Sequence, residues 1–175
     1  MPHPVDMVVD TGGKGDLWMD AIEAEKRGDR EESLRVCREL VIGEPDNSDA
    51  WMMIARMELP APTKGKQEMP SLVQTAKSVT ALKKVVQLDP ENRRAWDLGG
   101  TLLVDHLGMM EDALTWWEER RGHAPTEVTP LIEQVSILVR MGYYEECADL
   151  IEEMFSPEME SVDGGLRMRL SLIHI

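Results

Sequence analysis

Three prolines constrain this chain more than any other feature of it. Pro45, Pro90 and Pro125 are each followed six residues later by a large apolar residue inside a helical pattern, Trp51, Trp96 and Leu131. A glycine stands seventeen residues before two of them, Gly28 before Pro45 and Gly108 before Pro125. A small residue then follows each turn glycine by five: Ser33 after Gly28, Ala113 after Gly108 and Cys147 after Gly142. Landmarks that recur in register mark tandem units. Each such unit is too small to bury its own apolar face, so neighbours must stack.

Between these landmarks apolar residues recur at helical spacing, and Gly or Pro interrupts the runs. Leu17, Ala21 and Ala24, with Trp18 and Ile22, carry the first of them. The spacing predicts paired helices over 16–27 and 30–42, 48–58 and 71–88, 91–106 and 110–122, and 128–141 and 144–155. Asp29 and Glu32 are spaced as a capping box for the second helix. No run alternates with period two over a strand's length, and aromatic residues are only 5 % of the chain, so strand-forming residues are few. The expected fold is all-α, four antiparallel helix-turn-helix units at about 16–47, 48–92, 93–127 and 128–157. A flexible leader over 1–15 precedes them and a tail over 158–175 follows. Val162, Leu166, Leu170 and Ile173 give the tail an apolar stripe, read as a capping helix or the first helix of a fifth unit. Its last six residues, 170–175, resemble a translated adapter remnant, and the chain is then a fragment of a longer protein.

The pattern resembles the tetratricopeptide repeat family, whose period is about 34 residues with large, small and proline positions at set offsets. Pro45, Pro90 and Pro125 match its terminal proline, and Trp51, Trp96 and Leu131 its first large position. Ala21, Ala55, Gly100 and Val135 match the small position on the first helix; Ser33, Ser78, Ala113 and Cys147 match that on the second. Cys37, Leu82, Trp117 and Ile151 fill the following large position. The resemblance spans roughly residues 14–157 and implies an α-solenoid whose first helices line a concave face. It departs in the second unit, 45 residues long against about 34, where an insertion at 59–70 separates the helices. The third unit carries one extra residue before Gly108.

Charge narrows the function. Lys and Arg total 19 against 33 Asp and Glu, a net −14, so wrapping of nucleic acid is not expected, since that needs clustered cations. No apolar run reaches bilayer length and the first residues lack the pattern of a secretory signal, so no membrane contact is expected and the cytoplasm is the expected compartment. His3, His106, His123 and His174 are dispersed, and Cys37 and Cys147 fall on packing positions in distant units, which predicts buried thiols and no metal or other cofactor. Met7–Asp16 lacks the spacing of a phosphate-binding loop. The neighbouring carboxylates Glu31-Glu32, Glu118-Glu119, Glu145-Glu146 and Glu152-Glu153 point apart on helical surfaces, where a general acid would not be desolvated. No catalytic role is expected.

What remains is a non-catalytic scaffold that binds a peptide or helix of a protein partner. Its alternatives are a regulatory or assembly module of a longer protein and an accessory subunit of an enzyme complex. Positions one turn apart on the first helices give the candidate groove: Trp18, Ile22, Met52, Arg56, Arg94, Asp97, Thr101, Val104, Ile132, Ser136, Val139 and Arg140. Trp18, Met52 and Ile132 are expected to be partly exposed as an apolar strip beside Arg56, Arg94 and Arg140. The resemblance implies that chaperone-tail receptors use a Lys and Asn clamp at such positions, and neither Met52 with Arg56 nor Asp97 with Thr101 reproduces it. Lys64 and Lys66 of the insertion extend the basic character of the helix that follows, which holds Lys77, Lys83 and Lys84 and no acid. Residues 144–155 hold Glu145, Glu146, Asp149, Glu152 and Glu153 and no base. That polarity orients a partner or supports self-association.

Overall fold

Eight α-helices and one π turn run through residues 14–160, the part of the chain that the computed structural model describes. They are α1 (Lys14–Lys26), α2 (Arg30–Gly43), α3 (Ser48–Glu58), α4 (Leu72–Leu88), α5 (Arg93–Thr101), α6 (Met110–His123), α7 (Thr129–Met141) and α8 (Tyr144–Met154). The first helix starts at Lys14, two residues before the start expected at 16; residues 1–13 and the tail residues 161–175, with their apolar stripe, lie outside the described part. Each helix packs on the one before and the one after it, in an unbroken series from α1 to α8. No strand occurs among the described residues.

Local chemistry sets most of the helix starts. Asn47 and Asn92 cap α3 and α5 by accepting from the backbone N–H of Ala50 and Ala95. Ser71 and Gln74 form a complete capping box at α4. Only half of the box expected at α2 forms: Asp29 accepts from the Glu32 N–H, but the Glu32 carboxylate turns to Arg35 at 2.7 Å. The six-residue spacing from proline to tryptophan also has a physical reason. The indole N–H of Trp51 donates to the Pro45 carbonyl at 2.9 Å, and that of Trp96 to the Pro90 carbonyl at 2.8 Å. Trp96 is buried, whereas Trp51 stays partly exposed.

The small positions meet across each hairpin. Ser33 Oγ donates to the Ala21 carbonyl at 3.1 Å and Ser78 Oγ to the Ala55 carbonyl at 2.8 Å. In the fourth hairpin Cys147 Sγ takes the same place, 3.8 Å from the Val135 carbonyl. The third hairpin has no hydroxyl there; its α5 carries Gly99 and Gly100 instead. A Cβ on these two would come within 2.3 Å of the Trp116 ring and 2.4 Å of the Trp117 ring, so both indoles lie against bare backbone.

The extra residue of the third unit has a visible fate. The turns after α1 and α7 close with Asp29 N–H bonded to Ala24 O and Tyr143 N–H to Leu138 O, five residues back, around left-handed Gly28 and Gly142. At Gly108 the matching bond runs from Met109 N–H to Leu103 O, six residues back. The helix predicted over 91–106 is therefore α5 followed by a π turn over Leu102–His106, which takes up one residue.

Apolar side chains form two clusters. The larger runs through the first three hairpins; the smaller holds Val128, Leu131, Ile132, Val135, Cys147 and Met154 of the fourth. Ile132 is 1 % exposed inside that second cluster. It is a packing residue of that cluster, and the expectation that it is partly exposed in a groove is corrected.

Candidate functional site

Two ion pairs mark the side on which the first helices of successive hairpins face one another. Arg56 of α3 reaches Glu25 of α1 at 2.8 Å, and Arg140 of α7 reaches Asp105 in the π turn at 3.4 Å. Beside the first pair, Trp18, Ile22 and Met52 pack with one side on the main core and leave the other partly exposed. Val104 does the same within the π turn, and Val139 against the smaller cluster. Ser136 is half-buried, while Arg94, Asp97 and Thr101 are exposed. Asp97 lies toward a different feature. Partial burial and the Glu127 carboxylate push its carboxyl above the ordinary range, against the pull of Arg120 and Arg93.

The insertion at 59–70 is built into one end of this face. Thr63 and Lys66 close a small turn around left-handed Gly65, and Lys64 and Lys66 are exposed. Arg30 anchors its start, with Nη2 donating to the carbonyls of Arg56 and Leu59 at 2.6 Å each. Those carbonyls lie at the end of α3, where intrahelical partners run out. From there Pro60, Ala61 and Pro62 form a wall between two clefts. One, about 450 Å³, lies toward Glu25, Gly28, Arg30 and Arg56. The other, about 490 Å³, is closed by Leu98, Thr101, Leu102 and His106 of α5 and the π turn. Thr101 was placed in the groove from its spacing; the cleft it joins was not foreseen, because nothing in the sequence tells where a twelve-residue insertion folds back.

Arg120 and Glu127 also escaped the sequence. Arg120 is 2 % exposed, with Nε on Glu127 at 2.7 Å, Nη1 on the Pro90 carbonyl at 2.6 Å, and its guanidinium over the Trp96 ring. It ties the end of α6 to the turns before α5 and α7. A signal exists only in hindsight: the Pro90 carbonyl already accepts from Trp96, and an oxygen with two lone pairs in a buried turn has room for a second donor.

Both cysteines are buried and reduced. Burial, helped by Glu25, pushes the Cys37 thiol up to about 11; burial, then Glu146, raises that of Cys147. Among the described residues no three His, Cys, Asp or Glu side chains converge as a metal site would require, and no helix is long and apolar enough to cross a membrane.

The series of packed hairpins matches solved structures. The chain superposes on MamA of strain AMB-1 with a TM-score of 0.60 at 18 % identity, covering 91 % of this chain and 80 % of that one. For residues 41 to the end of MamA from Desulfovibrio magneticus RS-1 the TM-score is 0.54 at 19 % identity, covering 81 % and 74 %. The fold is a tetratricopeptide-type α-solenoid. No family model matches the sequence, and no curated protein matches it either. The likeness to MamA is one of architecture.

Proposed function

We propose that this protein is a non-catalytic, cytoplasmic interaction scaffold. It holds an extended or helical segment of a protein partner along the face of its first helices. The observation that carries this reading is the juxtaposition of half-exposed Trp18, Ile22 and Met52 with Arg56 and the paired clefts beside the insertion. Aromatic and methionine side chains with an arginine nearby are the residue types that concentrate binding energy at interfaces. The cations of the insertion, Lys64 and Lys66, with Arg30 and Arg56 behind them, suit an acidic portion of that segment.

Photo-crosslinking tests this directly. A photoreactive phenylalanine replaces Thr101 on the candidate face in one variant and Thr80 on α4 in another, both exposed positions, and each is irradiated in cells of the source organism. Capture of one protein partner from Thr101 and not from Thr80 supports the groove; equal capture from both, or capture from Thr80 alone, overturns it.

A further inference from the structure

The grooves between α2 and α4 and between α4 and α6 differ most in size of side chain at one position. Counting from the small position, Trp116 lies three residues after Ala113 and Ala81 three after Ser78. Between α4 and α6 the Trp116 ring fills the space, leaving about 200 Å³. Between α2 and α4 the corresponding Ala81 leaves about 530 Å³ open, floored by Val41, Ile54 and Trp51. Ile42 stands at its lip, 83 % exposed. The charged groups at the lip are Arg38, held by Glu58, and Lys77. Beyond them α4 adds exposed Lys83 and Lys84 and no acid.

The last described helix is complementary. α8 packs on α7 through Cys147 and Met154 and turns Glu145, Glu146, Asp149 and Glu152 outward. Glu153 is taken by Arg121 at 2.8 Å. Three aromatic residues are exposed on the same element or at its ends, Tyr143, Tyr144 and Phe155. The spacings also agree. Lys77 and Lys84 are seven residues apart, as are Glu145 and Glu152, and two helical turns put each pair about 10 Å apart on one face.

We propose that a second copy of this chain docks the outer face of its α8 on α4, with the tyrosine end of α8 in the open groove beside Ala81. The contact pairs a basic, apolar groove with an acidic, aromatic helix, and each molecule carries one of each. It is therefore heterologous: every added copy leaves one groove and one α8 free, so association proceeds head to tail instead of stopping at a dimer. Because the contact is made by exposed side chains of opposite charge, Lys77 and Lys84 against Glu145 and Glu152, it weakens as salt screens them.

Sedimentation velocity of the full chain decides it. The weight-average mass should rise with concentration at low ionic strength and fall back toward the monomer at high ionic strength. A variant with Lys77→Glu and Lys84→Glu blocks the groove; one with Tyr144→Ser, Glu145→Gln, Asp149→Asn and Glu152→Gln blocks α8. All six positions are exposed, and an unchanged circular dichroism spectrum and melting temperature certify the fold of each variant. Each alone should remain monomeric, and an equimolar mixture should form a 1:1 dimer that grows no further. A wild-type chain that stays monomeric into the millimolar range overturns the proposal. So does either blocked variant associating like the wild type, or a mixture that stays monomeric.

Discussion

At the residue scale the fold depends on where side chains are missing as much as on where they are large. Gly100 lets the Trp117 ring lie on the α5 backbone, and a methyl group there meets an indole that is itself wedged into the core. Gly100→Ala should therefore destabilise the protein by about 1–3 kcal/mol, the usual cost of overpacking, read as a lower urea midpoint at unchanged slope. Gly43→Ala, where nothing lies within 4 Å, should leave the midpoint equal or higher. The thiols give a second expectation. Only a thiolate attacks a disulfide reagent, and the Cys37 thiol is held up near 11. Native protein at pH 8 should react with Ellman's reagent far more slowly than urea-unfolded protein. The stability linked to this shift is present below the ordinary thiol value and is lost as pH climbs through about 11, because the unfolded chain ionises first. These residue-level features were legible where periodicity marked them, as at Ser33, Ser78 and both cysteines. Ile132 lies in the smaller cluster instead of on a groove, which the spacing of a first helix alone cannot show.

At the element scale, hairpins are joined by specific polar ties as well as by apolar packing. The Arg120 latch holds two turns, and removing one partner of a buried pair that has no other counter-charge costs about 3–5 kcal/mol. Arg120→Met alone should destabilise the protein by less than that, because Arg93 stays 3.3 Å from Glu127. Arg120→Met with Glu127→Leu should recover part of it, and a double-mutant cycle in urea measures the coupling. The insertion behaves differently. Residues 61–69 are all exposed, so replacing them with a short Gly-containing turn should change the unfolding free energy by only on the order of 0.6 kcal/mol. The same change removes one wall of both clefts, so loss of partner crosslinking without loss of stability would separate binding from folding. Helix existence was readable throughout, since each helix repeats an apolar face. The latch was not, because Arg120 and Glu127 sit at positions that in a lone helix and loop would be solvated.

At the scale of the whole molecule the cores are graded. The first three hairpins share one apolar cluster that reaches Ile137 of α7, while the rest of the fourth forms a smaller one and, among the described residues, α8 packs mainly on α7. In stacked repeats stability is a sum of unit and neighbour terms, so an end helix opens at lower free energy than a middle one. Native-state hydrogen exchange should show the amides of α8 exchanging through a local opening well before those of α3 and α4. Equal protection across α3, α4 and α8 would mean that the solenoid unfolds as one unit.

The π turn after α5 has a mechanical consequence. An α-helix rotates about 100° per residue, since 3.6 residues make a turn, so a surplus residue left in place would swing every later side chain around the axis and misdirect the next hairpin. Here the surplus is confined between Leu102 and His106, and Gly108 still reverses the chain where α6 can meet α5. The segment works as an expansion joint: length is added on one side and orientation is conserved on the other. One residue can thus be gained or lost at this joint without rephasing the stack, whereas the same change inside α3 would turn Met53 and Ile54 out of the core they share.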